Sequence, residues 1–237
     1  MKKILLSTLA LCLAALMIYS GYRVWDIHQD YKAENDMHDA VMEYKPLENG
    51  IANQSVIDLQ AKYPDVAGWL TVPGTKIDYP FVRYEDNDYY LRRDLDGDYA
   101  AAGTLFMDCR CTLEFSSQNT IIYGHHMKNG SMFSTLKSFA DKEFFEKNTS
   151  GSIFLPRETL RLEVFAYMVV KYTDTEIYSD ELSENFFDYV KQNAQQYREL
   201  ELAEGDRIVT LSTCSYEFNG ARMVLLARIL PAEDTGS

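Results

Sequence analysis

The sequence is poor in cysteine, proline and basic residues. It has 4 Cys, 6 Pro and 23 Lys plus Arg against 36 Asp plus Glu in 237 residues. Four cysteines are too few for a disulfide scaffold of this length, and so few prolines exclude collagen-like and low-complexity sequence. The net charge of −13 argues against nucleic acid as a partner, because phosphate binding requires clustered Lys and Arg. The 46% hydrophobic and 13% aromatic content instead predicts an acidic globular protein.

The N-terminus has the pattern of a membrane anchor. Lys2 and Lys3 precede an uncharged run over residues 4–22, which Arg23 closes. This run is close to the length of about 20 residues that a bilayer-spanning helix needs. The two lysines favour a cytoplasmic N-terminus, so the rest of the chain is expected outside the cell. A cleaved signal peptide is the alternative, but no clear small-x-small cleavage site follows the run. We predict a retained signal anchor over residues 1–23.

The remaining sequence divides into a short connection and one domain. Residues 24–53 begin as a charged, helix-prone segment and end in a loop-like stretch from Pro46 to Asn53, which predicts a stalk helix and linker. Residues 54–237 are mostly strand-like. Short apolar segments lie between turn signals, as in closed or nearly closed β-barrels. They cover residues 68–72, 76–82, 103–107, 120–123, 160–172, 207–213 and 222–230, with helices predicted at 55–63 and 181–200.

Three segments carry chemically active side chains at the ends of predicted strands. Cys214 ends one strand, and Arg222 opens the next after a short loop. If these two strands pair as an antiparallel hairpin, both residues lie together. His125 and His126 follow a third strand that ends in Tyr123-Gly124.

Together these residue types fit nucleophilic catalysis by a thiol. Such catalysis needs thiolate character, a proton donor for the leaving group and a positive donor for the oxyanion. Cys214, a histidine and Arg222 supply these three functions. Taken singly, each residue has a more ordinary interpretation: a small buried hydrophobe, a satisfied polar side chain and a surface charge.

The motifs around these residues resemble those of the sortases, membrane-anchored cysteine transpeptidases of Gram-positive cell walls, and most closely class B. The resemblance covers residues 66–230. It is carried by five segments in the family's order: GWLTVPGTKIDYPFV, DNDYYL, NTIIYGHHMKNGSMF, TLSTC and ARMVLLARI. The helix predicted between the long strand and the Cys214 strand also looks like class B.

The resemblance implies a mainly β fold: a closed eight-stranded sortase-type barrel with peripheral and N-terminal helices. It implies that Cys214 is the nucleophile, His125 the general acid and base, and Arg222 the group that stabilises the substrate and the oxyanion. Residues implied to line the peptide groove are Tyr123, Ser212 and Asn87. No metal and no organic cofactor are implied.

The partners implied are a secreted protein and a cell-wall amine. The secreted protein would carry an Asn-Pro-x-Thr-like sorting motif and be cleaved after Thr, and the acyl group would pass to an amine of a peptidoglycan precursor or cross-bridge. Three alternatives remain open: a pilin polymerase with a lysine acceptor, a cysteine hydrolase, and a catalytically idle surface-binding module.

Two features depart from the family pattern. His126 stands where relatives commonly have Asn; adjacent side chains in extended backbone face opposite ways, so we predict that His125 alone faces Cys214. Cys109 and Cys111, with the two histidines, suggest a zinc site, but their spacing is poor for tetrahedral coordination. A Cys109–Cys111 disulfide would be strained, so two ordinary thiols are expected.

Overall fold

The computed structural model describes residues 2–47, 53–201 and 205–230. The chain divides into two compact units, residues 1–40 and 41–237. Helix α1 (Lys2–Met42) makes up nearly all of the first unit and is long and apolar enough to cross a bilayer. It continues without a break past residue 23, where the predicted anchor ends. Residues 48–52 of the predicted linker lie outside the described residues.

Eight of the described strands close into a barrel, which confirms the predicted fold. The strands are β1 (Val66–Thr71), β2 (Asp78–Arg83), β3 (Leu105–Met107), β4 (Asn119–Tyr123), β5 (Ser150–Phe154), β6 (Thr159–Lys171), β7 (Gln196–Tyr197), β8 (Ile208–Cys214) and β9 (Ala221–Ile229). Their order in the barrel is β5-β1-β2-β3-β4-β8-β9-β6, and β6 pairs back onto β5. Strand β7 adds two residues beside β6. The pairs β2–β3 and β4–β8 are parallel.

The two strands that carry Cys214 and Arg222 are buried on both faces. On one face of β8 and β9, Leu211 and Leu225 join the main core inside the barrel. On the other face, Ile208, Val224 and Leu226 pack in a second cluster with residues of helix α4 (Phe186–Asn193). Burial of both faces explains why these strands read as nearly continuous apolar runs.

Helices lie around the barrel, and one of them is shorter than the sequence predicted. The prediction placed a helix over residues 181–200, but α4 covers only Phe186–Asn193. Beyond it, the N–H of Gln195 and that of Arg198 bond to carbonyls of β6, so the chain continues there as β7. The other helices are α2 (Gln54–Lys62), α3 (Lys142–Lys147) and 3-10 helices at Tyr89–Arg92 and Phe133–Ala140.

Gly124 lets the chain leave β4 through a very narrow space. Its N–H donates to the carbonyl of Ser212 on β8 at 3.1 Å. A Cβ added at Gly124 would lie 2.4 Å from Leu105 Cδ2 and 2.8 Å from Phe133 Cδ2. Both neighbours are buried, so they have little room to move. A glycine is therefore required immediately before His125.

Gly124→Ala should lower the free energy of unfolding by about 1–3 kcal/mol, because the added methyl overpacks a buried site. Denaturant titration of the full chain in detergent micelles measures this change. Gly21→Ala serves as control, since a Cβ at Gly21 would meet nothing within 4 Å, and it should cause no loss. Equal stabilities of Gly124→Ala and the unsubstituted protein would show that this close approach carries no constraint.

Candidate active site

The hairpin of β8 and β9 brings Cys214 and Arg222 together. The two strands are antiparallel, and Cys214 is the cross-strand partner of Arg222. Cys214 is the last residue of β8, so its side chain lies at the rim of the barrel, where it is partly exposed. The predicted juxtaposition of the thiol and the guanidinium thus follows from strand register.

A cleft of about 480 Å³ lies over this end of the barrel. All six residues predicted for the site line it: Cys214, His125, Arg222, Tyr123, Ser212 and Asn87. Side chains that the sequence reading did not identify complete the lining: Leu91, Phe106, Asp108, Arg110, Tyr172, Tyr178 and Thr213, with Gly124. The cleft therefore has the mixed apolar and polar walls typical of a ligand site.

His125 is half-buried and is held by the backbone of the 3-10 helix at Tyr89–Arg92. Its Nε2 lies 2.7 Å from the carbonyl oxygen of Leu91. A carbonyl only accepts, so Nε2 carries the proton and Nδ1 is the free nitrogen of the neutral ring. Burial lowers the pKa of His125, and the charges of Arg92 and Arg222 lower it further, against an opposing effect of the Leu91 bond. The neutral imidazole therefore predominates at neutral pH.

His126 has different partners from its neighbour. Its Nδ1 lies 3.0 Å from the carbonyl oxygen of Cys214, and its ring centroid is 5.3 Å from that of Tyr216. It is not among the residues that line the cleft. His126 contacts the backbone of Cys214, whereas His125 shares the cleft with the side chain of Cys214.

Arg222 is oriented by an aromatic ring and by a backbone bond. Its guanidinium carbon lies 6.0 Å from the ring centroid of Tyr172. Its Nη1 donates to the carbonyl of Ala221 at 3.1 Å. A guanidinium has five N–H donors in a rigid plane. Fixing this plane beside Cys214 gives the cleft a directed positive donor.

Tyr123 forms part of a buried polar network on the cleft floor. Its hydroxyl donates to Oδ2 of Asp108 at 3.0 Å, and Arg110 donates to the same carboxylate through Nε and Nη2, each at 2.8 Å. Burial opposes ionisation of Asp108, but the hydrogen bonds from Arg110 and Tyr123 outweigh it and lower the pKa of this carboxyl. Burial, followed by the charge of Asp108, raises the pKa of Tyr123. An ionised, paired carboxylate therefore fixes a neutral phenol.

The side chains of Ser212 and Asn87 each form a hydrogen bond to a neighbouring residue. The hydroxyl of Ser212 lies 2.9 Å from that of Tyr178. Burial raises the pKa of Tyr178 to about 12, so this phenol is also neutral. Oδ1 of Asn87 accepts from the N–H of Cys109 at 2.8 Å.

Cys109 and Cys111, which suggested a zinc site, each contact other groups of the chain. Cys111 is buried, its Sγ lies 3.5 Å from the carbonyl of Asn119, and burial raises the pKa of its thiol. The carbonyl of the half-buried Cys109 accepts from Arg83 at 2.7 Å. Within the described parts of the chain, no group of three or more His, Cys, Asp and Glu side chains is arranged to hold a metal ion.

This chain is similar to known proteins over most of its length. The family model for the sortase domain matches residues 70–230. Sortase B of Listeria monocytogenes is 33% identical over an alignment 241 residues long, gaps included, which covers 97% of this chain and 98% of the relative. The chain belongs to the sortase family, in class B.

Solved sortase structures share the barrel. Spy0129, a Streptococcus pyogenes class B sortase involved in pilus biogenesis, superposes with a TM-score of 0.69 at 35% identity, over 73% of this chain and 97% of that one. Sortase B of Bacillus anthracis superposes with a TM-score of 0.74 at 33% identity, over 86% of this sortase and 99% of that one. Sortases are cysteine transpeptidases, so this sortase is an enzyme of that kind.

The pKa of His125 should lie below the ordinary value of about 6.5, and Arg222→Gln should raise it, because the substitution removes a nearby positive charge. Histidine NMR titration of the full chain in detergent measures both values, and the spectrum of His125→Gln assigns the resonance. A midpoint at or above the ordinary value, or no shift in Arg222→Gln, would contradict the described electrostatics.

Proposed function

We propose that this sortase cleaves an Asn-Pro-x-Thr-like sorting motif after Thr and transfers the acyl group to a peptidoglycan amine, thereby anchoring surface proteins to the cell wall. The observation that carries the proposal is the shared cleft of Cys214, His125 and Arg222. It joins a thiol, a neutral imidazole and a guanidinium, the three groups that acyl transfer through a thioester requires.

In the first half-reaction, Sγ of Cys214 attacks the carbonyl carbon of Thr. The free Nδ1 of His125 takes the thiol proton and passes it to the departing amine, so His125 acts as general acid when the peptide bond breaks. Arg222 donates hydrogen bonds to the oxyanion of the tetrahedral intermediate and to the substrate backbone. The products are a thioester on Cys214 and a peptide with a new amino terminus.

In the second half-reaction, an amine from peptidoglycan attacks the thioester. Nδ1 of His125 accepts the amine's proton and returns it to the leaving thiolate. An amide bond forms, the thioester bond breaks and the enzyme regains its starting state. Water in place of the amine would give simple hydrolysis, so preference for the amine distinguishes a transpeptidase from a hydrolase.

The groove residues suit a peptide that lies over the end of β8. Ser212 precedes Cys214 by two residues on the same strand, so both face the same side of the sheet. Leu91 and Phe106 supply apolar surface for the motif, while Tyr123 and Asn87 supply polar groups. Tyr123 and Asn87 are each held by a hydrogen bond, which keeps the groove preorganised.

The proposal includes a cellular setting, which the character of α1 supports. We propose that residues 1–23 form a single-pass anchor with Lys2 and Lys3 in the cytoplasm and the catalytic domain outside the cell. The partners would then be the sorting-motif protein, the cell-wall amine and the membrane around α1. Support comes from the length and apolar character of this helix.

The test is to incubate the full chain in detergent with a panel of sorting-motif peptides, with and without triglycine, and to identify the products by mass spectrometry. Cleavage after Thr with triglycine joined to the new C-terminus is expected, and Cys214→Ala should abolish it because the nucleophile is gone. His126→Ala serves as comparison and should retain turnover, because His126 does not line the cleft. Hydrolysis alone would favour a hydrolase; no reaction with any peptide would refute the proposal.

A pilin polymerase is the second candidate, because one solved relative, Spy0129, is a class B sortase involved in pilus biogenesis. In that case the acceptor would be a lysine side chain of a pilin. Offering the thioester a pilin domain and a peptidoglycan stem peptide together decides between the two functions by the acceptor found in the product.

A further inference from the structure

In the segment between β6 and α4, four consecutive backbone carbonyls accept hydrogen bonds from two side chains and one backbone N–H. Nδ2 of Asn119 donates to the carbonyls of Ile177 and Ser179, at 3.0 and 2.8 Å. The backbone N–H of Asn119 donates to the carbonyl of Asp180 at 3.1 Å. Nη2 of Arg110 donates to the carbonyl of Tyr178 at 3.0 Å. We call residues 177–180 the anchored segment.

The Asn119 side chain also connects the anchored segment to the strand of the nucleophile. Its Oδ1 accepts from the hydroxyl of Thr210 at 2.8 Å, and Thr210 lies on β8, four residues before Cys214. Asn119 itself is fully buried. A buried carboxamide costs free energy unless its donors and acceptor are paired, and here two carbonyls and one hydroxyl pair them.

The anchored segment carries a wall of the cleft. The side chain of Tyr178 lines the cleft and contacts Ser212 through its hydroxyl at 2.9 Å. Its neighbour Ile177 is buried in the cluster beneath α4, which fixes the segment from below. The position of the Tyr178 ring relative to Cys214 therefore depends on the carbonyls that Asn119 and Arg110 hold.

We propose that Asn119 is a positioning residue for substrate binding: through the anchored segment it sets the place of Tyr178 in the groove. It does not touch the reacting atoms and belongs to none of the catalytic steps above. This inference rests on the proposed function, because it takes the cleft beside Tyr178 as the groove for the sorting motif. Its expected signature is weaker peptide binding with little change in the chemistry on Cys214.

Two substitutions test the Nδ2 donors and the Oδ1 acceptor of the Asn119 carboxamide separately. Asn119→Asp has nearly the same shape and keeps an acceptor for Thr210, but replaces the Nδ2 donors that hold the anchored segment. Thr210→Val is also nearly isosteric; it removes the hydroxyl bond and leaves the donors to the segment in place. Both changes disturb one buried site, so a purely structural effect would appear in both variants.

Asn119→Asp should raise the KM for the sorting peptide about tenfold and change kcat less than about threefold, because lost positioning weakens binding. The rate of Cys214 alkylation by iodoacetamide, a reagent too small to need the groove, should stay within about twofold. Thr210→Val should leave KM, kcat and the alkylation rate near those of the unsubstituted enzyme. In a Tyr178→Ala background, Asn119→Asp should add less than about twofold to KM, because residues that act through one another are not additive.

Hydrogen exchange of the full chain in detergent tests the anchoring without any substrate. Amides of residues 173–185 should exchange faster in Asn119→Asp and not in Thr210→Val. If Asn119→Asp does not fold, Asn119→Ser removes the same Nδ2 donors without adding a charge. Unchanged exchange and KM in the folded Asn119 variant, or equal changes in Thr210→Val, would overturn the inference. Failure of the unsubstituted enzyme to cleave any peptide would instead refute the proposed function, and exchange would still decide the anchoring.

Discussion

The antiparallel register of β8 and β9 is the constraint on which the site depends. It makes Cys214 and Arg222 cross-strand partners, and a slip of one residue would turn either side chain to the other face of the sheet. Both strands are buried on both faces: one face lies in the barrel interior, and on the other Ile208, Val224 and Leu226 pack with residues of α4. The parallel pairing of β4 with β8 then places the end of β4 beside Ser212, so that Gly124 and His125 enter the cleft from the adjacent strand.

Three titratable side chains of the cleft are uncharged at neutral pH. His125 is neutral at neutral pH because it is half-buried and near two arginines. Tyr123 and Tyr178 are neutral phenols because burial raises both pKa values. The buried carboxylate of Asp108 is ionised, but Arg110 pairs with it. Cys214 and His125 therefore share a cleft in which the positive group beside the thiol is the guanidinium of Arg222, which suits stabilisation of a developing oxyanion.

Sequence patterns predicted the barrel strands with long apolar runs, the Cys214–Arg222 hairpin and six residues that the structure places in one cleft, because local periodicity and family motifs carry this information. They did not predict β5, whose Ser-Gly-Ser start has little strand preference and which forms only between β1 and β6. They extended α4 too far, because amides near residue 195 bond to β6 rather than within a helix. They also missed Tyr178 and the Asp108–Arg110 pair, which enter the site through contacts between distant segments. The close spacing of an acidic and a basic residue after β3 was a local signal for the Asp108–Arg110 pair.

The proposed mechanism requires Cys214 to be the nucleophile that carries the acyl group. The most direct test is intact-mass spectrometry of the full chain mixed briefly with a sorting-motif peptide and quenched in acid. The expected result is an added mass on Cys214 equal to that of the peptide through its Thr less one water, removable by hydroxylamine and absent from Cys214→Ala. A peptide that is cleaved after Thr by the unsubstituted enzyme and equally by Cys214→Ala, with no adduct at any time, would contradict it.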